Sequence, residues 1–320
     1  MTFMTEKIIH PKPLVVSPSA SFRAGGVEPS RRIGIHHKDC LDGTASAAIL
    51  LKKFPEILLR PLSHHYTEEA LGEIVKEADS KTIVYIVDFS LREDHTEKLL
   101  EKAGEVINID HHIGAEEKLR ALDAQYKNFT YVFNNNRSGA SLAWEYFYDR
   151  KTIPELVLLI EDGDIGKFEF PDKTKWSGGV LMPLMNQPTK VLELFEKPIA
   201  DILSKGKVVT DFMDFLIEMY CARNEPISLR IGEHTVVAYN ANFNVERMRS
   251  TLGHILVEKH HATVALFRIS RDEVAFSFRG LDAVEPSALA LASMLGGNGH
   301  RNAAGAAVSL KEFCEMIVSE

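Results

Sequence analysis

Regular patterning begins at Arg32-Ile-Gly-Ile, a short apolar run that stops at His36-His37-Lys38-Asp39-Cys40-Leu41-Asp42-Gly43. Small and apolar residues over 44–54 predict a helix, and Ile57-Leu-Leu-Arg predicts a strand. A Thr-x-Glu start at Thr67 opens a predicted helix over 67–78. Thr82-Ile-Val-Tyr-Ile-Val is nearly continuous and β-branched, the composition of a strand buried on both faces of a parallel sheet. An amphipathic helix over 92–103 and the strand Glu105-Val-Ile-Asn-Ile follow. This alternation predicts a doubly wound, mostly parallel α/β domain.

After Tyr131-Val-Phe come predicted helices over 138–149 and 154–161, the second running into Asp162-Gly-Asp164-Ile-Gly-Lys-Phe168. The helical stretch 188–221 reads as a connector. From 231 a second pattern starts, with a strand at 234–239, a helix near 245–259, and strands at 262–269 and 273–278 joined as a hairpin by a turn at Asp272-Glu273. A helix over 286–295 ends in the glycine-rich loop Gly296-Gly297-Asn298-Gly299-His300-Arg301-Asn-Ala-Ala-Gly305. The expected organisation is a loosely ordered arm (1–30), a catalytic α/β domain (31–187), a helical connector (188–224) and a smaller α/β domain with a mixed sheet (225–320).

The polar residues fall where strands end. Asp39 and Asp42 follow the first strand, Asp88 ends another, and Asp110-His111-His112 ends the next. Strand C-termini of an open parallel sheet share one edge, and ligands bind in the crevice there. Acids and histidines far apart in sequence are therefore expected to converge.

Composition narrows the chemistry. The 320 residues suit roughly two domains of about 150 residues each. Lys and Arg total 37 against 45 Asp and Glu, a net charge of −8, which argues against holding long nucleic acid by counterion release. Cys40, Cys221 and Cys314 are too dispersed for a disulfide framework or a paired-cysteine zinc site, so a reducing, cytoplasmic setting is expected. No apolar run is long enough to span a bilayer or to serve as a signal peptide, so no membrane partner is expected. Carboxylates with imidazoles suit Mn²⁺ or Mg²⁺ better than a structural zinc. Gathering several carboxylates without cations is costly. Two divalent ions sharing one carboxylate remove that cost, supply a hydroxide nucleophile at neutral pH and clamp a phosphoryl group.

These residues resemble the motifs of the DHH phosphoesterases, a superfamily that includes RecJ-type exonucleases, nanoRNases, cyclic-dinucleotide phosphodiesterases and family II pyrophosphatases. Asp110-His111-His112 is similar to the motif that names the family. His37-Lys-Asp39-Cys-Leu-Asp42-Gly43 resembles its first motif, Asp88 in Ile-Val-Asp-Phe-Ser its second, and Asp164-Ile-Gly-Lys-Phe168 its fourth. Gly296 to Gly305, preceded by a strand with Ser-Phe-Arg279, resembles the signature of the companion DHHA1 domain. The likeness runs from about residue 32 to the C-terminus, with the five motifs in order.

The resemblance implies two Mn²⁺ ions, with Mg²⁺ or Co²⁺ as substitutes. His37, Asp39 and Asp88 would hold one, and Asp42, Asp88, His111 and Asp164 the other, with Asp88 bridging. Asp110 would orient a ligand, and His112 would face the scissile phosphate. Gly297, Asn298, Gly299, His300, Arg301 and Arg279 would bind the rest of a nucleotide across a cleft. Many relatives carry an acid where this chain has Cys40. Two alignments stay open: Asp39 takes over that role beside His37, or Cys40 is itself a ligand and His36 replaces His37.

The expected activity is Mn²⁺-dependent hydrolysis of short oligonucleotides or (cyclic) dinucleotides to mononucleotides. Long duplexes are not expected as substrates, and homodimer formation stays open. An inorganic pyrophosphatase or exopolyphosphatase is the alternative reaction, and a nucleotide sensor without turnover is the alternative class. A dinucleotide-dependent dehydrogenase is disfavoured, because Asp39 and Asp42 stand where a pyrophosphate needs uncharged glycines.

Overall fold

The computed structural model describes residues 15–16, 31–241 and 246–318. Apart from Val15 and Val16, the expected arm lies outside them, as does residue 245 at the start of an expected helix. The chain divides into two compact units, Met1–Thr210 and Asp211–Glu320.

In the first unit the strands are β1 (Val15–Val16), β2 (Arg31–His37), β3 (Leu58–Leu62), β4 (Thr82–Val87), β5 (Glu105–Asp110) and β6 (Phe129–Phe133). They form one sheet in the order β1-β6-β5-β4-β2-β3. All neighbours from β6 to β3 pair in parallel. β1 alone is antiparallel, laid on the open edge of β6, which gives the unpaired backbone groups of that edge partners. Val15 and Val16, read from the sequence as part of the arm, are thus strand residues.

Helices cover both faces, as an apolar parallel sheet requires. α1 (Leu41–Lys53), α5 (Gly139–Phe147), α6 (Glu155–Asp164) and α8 (Pro188–Leu194) pack with Tyr85, Val87, Ile107 and Ile109. α2 (Glu68–Glu77), α3 (Glu93–Leu100) and α4 (Glu116–Gln125) pack with Ile33, Ile35, Val84 and Ile86 on the other face. Along β4 the two sets alternate, the period-two signature of a strand buried on both sides. α7 (Pro171–Leu181), which the sequence pattern does not predict, follows α6. Its Ser-Gly-Gly segment lacks an apolar stripe but lies buried, and a β-carbon on Gly179 would stand 2.8 Å from the carbonyl oxygen of Gly206. Close backbone approach, rather than amphipathicity, decides this helix.

The sheet order has one feature that matters for function. From β2 the chain goes by way of α1 to β3 on one side, then by way of α2 back to β4 on the other, so β2 and β4 flank the point where the winding reverses. In such sheets the crevice beyond the strand C-termini opens there. His37 ends β2 and Asp88 follows β4.

α9 (Ile199–Arg223) runs across the division between the units. The second unit holds β7 (Ile227–Ile231), β8 (His234–Asn240), α10 (Glu246–His260), β9 (Val264–Ser270), β10 (Glu273–Arg279), α11 (Ala288–Met294), β11 (Asn298–His300), β12 (Ala303–Ser309) and α12 (Leu310–Met316). Its sheet, ordered β11-β12-β10-β9-β8-β7, is mixed, with only β8 and β9 parallel. The β9–β10 turn is Arg271-Asp272, one residue earlier than the pattern suggests, with Arg271 in the left-handed region at φ 54°. The glycine-rich stretch is not a loop but a hairpin, since Asn298 pairs with Gly305 and His300 with Ala303. A β-carbon on Gly297 would meet the Gly305 carbonyl at 2.1 Å, so glycine there permits the strand contact.

Candidate metal centre

The first turn is built by a close approach. A β-carbon on Gly43 would stand 2.3 Å from the carbonyl oxygen of His37, so only glycine lets the start of α1 fold back onto the end of β2. This brings Asp42, 1% exposed, under the sheet edge. Its Oδ1 accepts from the backbone N–H of Ala140 at 3.1 Å, in the first turn of α5. Its Oδ2 is buried with no hydrogen-bond partner.

Asp88 occupies the centre. It is 1% exposed and left-handed, at φ 52°, a conformation that costs energy outside glycine and clusters at functional sites. Its two oxygens diverge. Oδ1 lies 3.1 Å from Nε2 of His111, which is also 3.5 Å from Oδ2 of Asp164. Oδ2 faces Nδ1 of His37 across 3.6 Å, too far for a hydrogen bond, and both atoms are buried and unpartnered.

Among the described residues, five groups of candidate donors have ligand atoms within 4.8 Å of one another. His37 groups with His64 and His112, and Asp88 with Asp110, His111 and His112. Two others form the candidate centre: His37, Cys40 and Asp88, and Asp42, His111 and Asp164. Asp88 belongs to the first and touches His111 of the second. Asp39 is in neither. Left-handed at φ 58° and exposed, it receives Nδ2 of Asn186 on Oδ1 at 2.6 Å, while its own N–H donates to Asn186 Oδ1 at 2.9 Å. His36 also stays outside both groups, buried with Nδ1 3.2 Å from the carbonyl oxygen of His37.

Asp110 is fully committed. Its Oδ1 accepts from the backbone N–H groups of His111 and His112, at 2.7 and 3.2 Å, and pairs with Nδ1 of His112 at 2.7 Å. Its Oδ2 accepts from the Ser90 hydroxyl at 2.5 Å. Asp110 therefore fixes the His112 ring and leaves Nε2 turned away from it.

The electrostatics describe a place short of positive charge. Burial, then repulsion from Asp88 and Asp164, pushes Asp42 well above the usual carboxylate range. The same burial and the charge of Asp88 lift Asp164 to about 6. Burial works against a charge on Asp88, yet the hydrogen bond to His111 and the nearness of the His37 imidazole hold it below the ordinary range. Burial also opposes a proton on His111, but Asp88, Asp42 and Asp164 raise it to about 9. Burial, with the charges of Asp88 and Asp42, pushes the Cys40 thiol up. Orphaned buried donor atoms on Asp42, Asp88 and His37 together with mutually repelling carboxylates are what divalent cations would satisfy. The residues fit the group.

Sequence reasoning missed three contributors. His64 follows β3, its ring centred 4.4 Å from that of His37 and 5.9 Å from that of His112; its place after a strand was a readable signal. Asn186 and the tip of α5 carried none, because their importance lies in contacts with residues far away in sequence.

In the second unit, Arg279 ends β10 opposite Ala303, which also pairs with His300, so these two candidates flank one strand position. Arg279 Nη1 donates to Ser277 Oγ at 2.7 Å and to the Phe278 carbonyl at 3.0 Å. Arg301 Nη2 pairs with Glu285 at 2.6 Å and donates to the Asp282 carbonyl at 2.9 Å. Asn298, Gly299 and His300 are exposed.

No protein-family model matches the chain. A curated relative, uncharacterized protein R106 of Acanthamoeba polyphaga mimivirus, is 23% identical over 298 residues, 88% of this chain and 68% of that protein. A pGpG-specific phosphodiesterase, PggH from Vibrio cholerae, superposes with a TM-score of 0.51 at 12% identity, covering 90% of this chain and 95% of that one. RecJ from Thermus thermophilus, in complex with Mn²⁺, gives a TM-score of 0.48 at 14% identity over 89% of this chain and half (50%) of its own length. An uncharacterized protein from Helicobacter pylori gives 0.40 at 16% identity, over 87% and 93%. The chain thus shares the α/β fold of PggH. Among the described residues, no helix is long and apolar enough to cross a membrane.

Proposed function

We propose that this protein is a metal-dependent phosphodiesterase that hydrolyses short oligonucleotides or (cyclic) dinucleotides to mononucleotides. One observation carries the reading: Asp88 directs its two oxygens to two histidines that belong to two separate donor groups, at the reversal point of a parallel sheet. The shared fold with a phosphodiesterase described as pGpG-specific supports a dinucleotide substrate.

His37 and Asp88 would contribute to one cation position, and Asp42, His111, Asp164 and Asp88 to the other; Mn²⁺ is the proposed ion. Cations held there supply water activation and a clamp on phosphoryl oxygens. The remaining work falls to the chain's own groups. The α5 N-terminus, through Ala140 N–H, holds Asp42 in one orientation. Asp110 holds His112 so that Nε2 is free to donate to a phosphoryl oxygen as negative charge develops. Arg279, His300 and the Gly297–Gly299 backbone are proposed to bind the nucleotide's further phosphate, with Asn298 and Arg301 beside them.

The experiment is a panel of linear and cyclic dinucleotides, pyrophosphate and polyphosphate, assayed with Mn²⁺ and with chelator. Release of mononucleotides from dinucleotides, abolished by chelator, is expected. Cleavage of pyrophosphate or polyphosphate alone would overturn the reading in favour of an inorganic phosphohydrolase. Tight nucleotide binding without turnover would overturn it in favour of a sensor.

A further inference from the structure

The two donor groups differ in chemistry. Asp42, His111 and Asp164 offer carboxylates and one imidazole, a hard set. The other group pairs His37 and Asp88 with a sulfur, Cys40 Sγ. We infer that Cys40, rather than Asp39, completes the His37–Asp88 position as a thiolate ligand, so that this position takes a softer divalent cation, Zn²⁺ or Co²⁺, more tightly than Mn²⁺. The inference rests on the two-cation reading above and adds which donor completes one half of it and which class of ion that half binds more tightly than Mn²⁺.

Three observations carry it. Nδ1 of His37 and Oδ2 of Asp88, the latter on a side chain 1% exposed, face each other unpartnered across 3.6 Å. Two donors bound at about 2.1 Å to one tetrahedral ion stand about 3.4 Å apart, close to that gap. Cys40 Sγ lies within 4.8 Å of a ligand atom on each of His37 and Asp88, and it is a free cysteine. Asp39, the rival, turns outward into a two-point hydrogen bond with Asn186. Asp39 stands in the left-handed region, φ 58°, bonded to Asn186, while its neighbour Cys40 groups with His37 and Asp88. His37 keeps its place in this arrangement, so a cysteine ligand does not require the exchange of His37 for His36.

On binding, the thiol proton passes to solvent as the sulfur–metal bond forms, one proton per ion. A soft thiolate then widens the ordinary preference for Zn²⁺ and Co²⁺ over Mn²⁺ in that half of the site beyond what the carboxylate half shows.

Cobalt substitution reads the ligand directly. The full-length protein, stripped with chelator and loaded with Co²⁺, should show the near-ultraviolet sulfur-to-cobalt charge-transfer band. Cys40→Ser should abolish the band, and Asp39→Asn should retain it. Cys40→Ser should also weaken Zn²⁺ binding at one position by at least the ~10–100-fold that losing an outer-shell partner costs. Two bound Co²⁺ ions without the band in the wild-type protein would overturn the inference and leave the proposed function standing. A band that survives Cys40→Ser would assign the sulfur to Cys221 or Cys314 and overturn it equally. Failure to bind Co²⁺ at all would remove both.

Discussion

The β-carbon of Asp88 stands 2.6 Å from where a side chain on Gly139 would begin, and Asp42 Oδ2 stands 2.9 Å from the same point. The first residue of α5 therefore has to be glycine for the helix tip to reach both carboxylates. Gly139→Ala should shift that tip, cost about 1–3 kcal/mol of stability as overpacking does, and lower metal affinity. Gly72 is the control. It lies within α2, and a β-carbon there meets nothing within 4 Å. Gly72→Ala should gain about 0.5–1 kcal/mol from helix propensity. Urea unfolding of both variants checks the contrast, and equal effects would contradict the packing account.

Asp110 and His112 act as one unit, joined by the 2.7 Å bond between Oδ1 and Nδ1. His112→Ala should lower kcat by roughly 10²–10³-fold, the scale of a lost transition-state donor, with metal content unchanged. Asp110→Asn should fall in the same range, and the double variant little further, because both remove one oriented imidazole. Additive losses in the cycle would show two separate roles.

Arg137 anchors the entrance to α5 through ion pairs with Glu145 and Glu161, the latter at 2.7 Å. Burial works against the Glu161 charge, but Arg137, with Ser141 and Ser138, more than offsets it and holds the carboxyl below the usual glutamate range. The unfolded chain therefore takes up this proton first as pH falls. The stabilisation is complete above the unfolded value, about 4.3, and is lost as pH drops through the lower native one. Glu161→Gln should be clearly less stable than wild type at pH 7, and the gap should narrow below about pH 4. Urea midpoints across that range decide it; a gap that widens in acid would contradict the assignment.

Much of this was legible because polar residues interrupt apolar strands. Asp88 and Asp110-His111-His112 announce themselves at strand ends, and the parallel sheet brings such ends together. The direction of side chains within a tight turn was not legible. Asp39 and Cys40 are adjacent, and a left-handed residue decides which of them faces His37. Asn186, which holds Asp39 outward, lies 147 residues away. The β11–β12 hairpin was hidden for a different reason: β11 is three residues, Asn298-Gly299-His300, too short to carry an alternating pattern, and the strand exists by pairing with β12.

The bridging role of Asp88 is the central claim, and metal counting tests it most directly. The chelator-stripped protein, dialysed to equilibrium against saturating Mn²⁺, should hold two ions per chain by elemental analysis. Asp88→Asn should hold at most one and lose activity, because a single carboxylate serves both positions. Two ions retained by the variant, or none bound by the wild-type protein, would contradict the account.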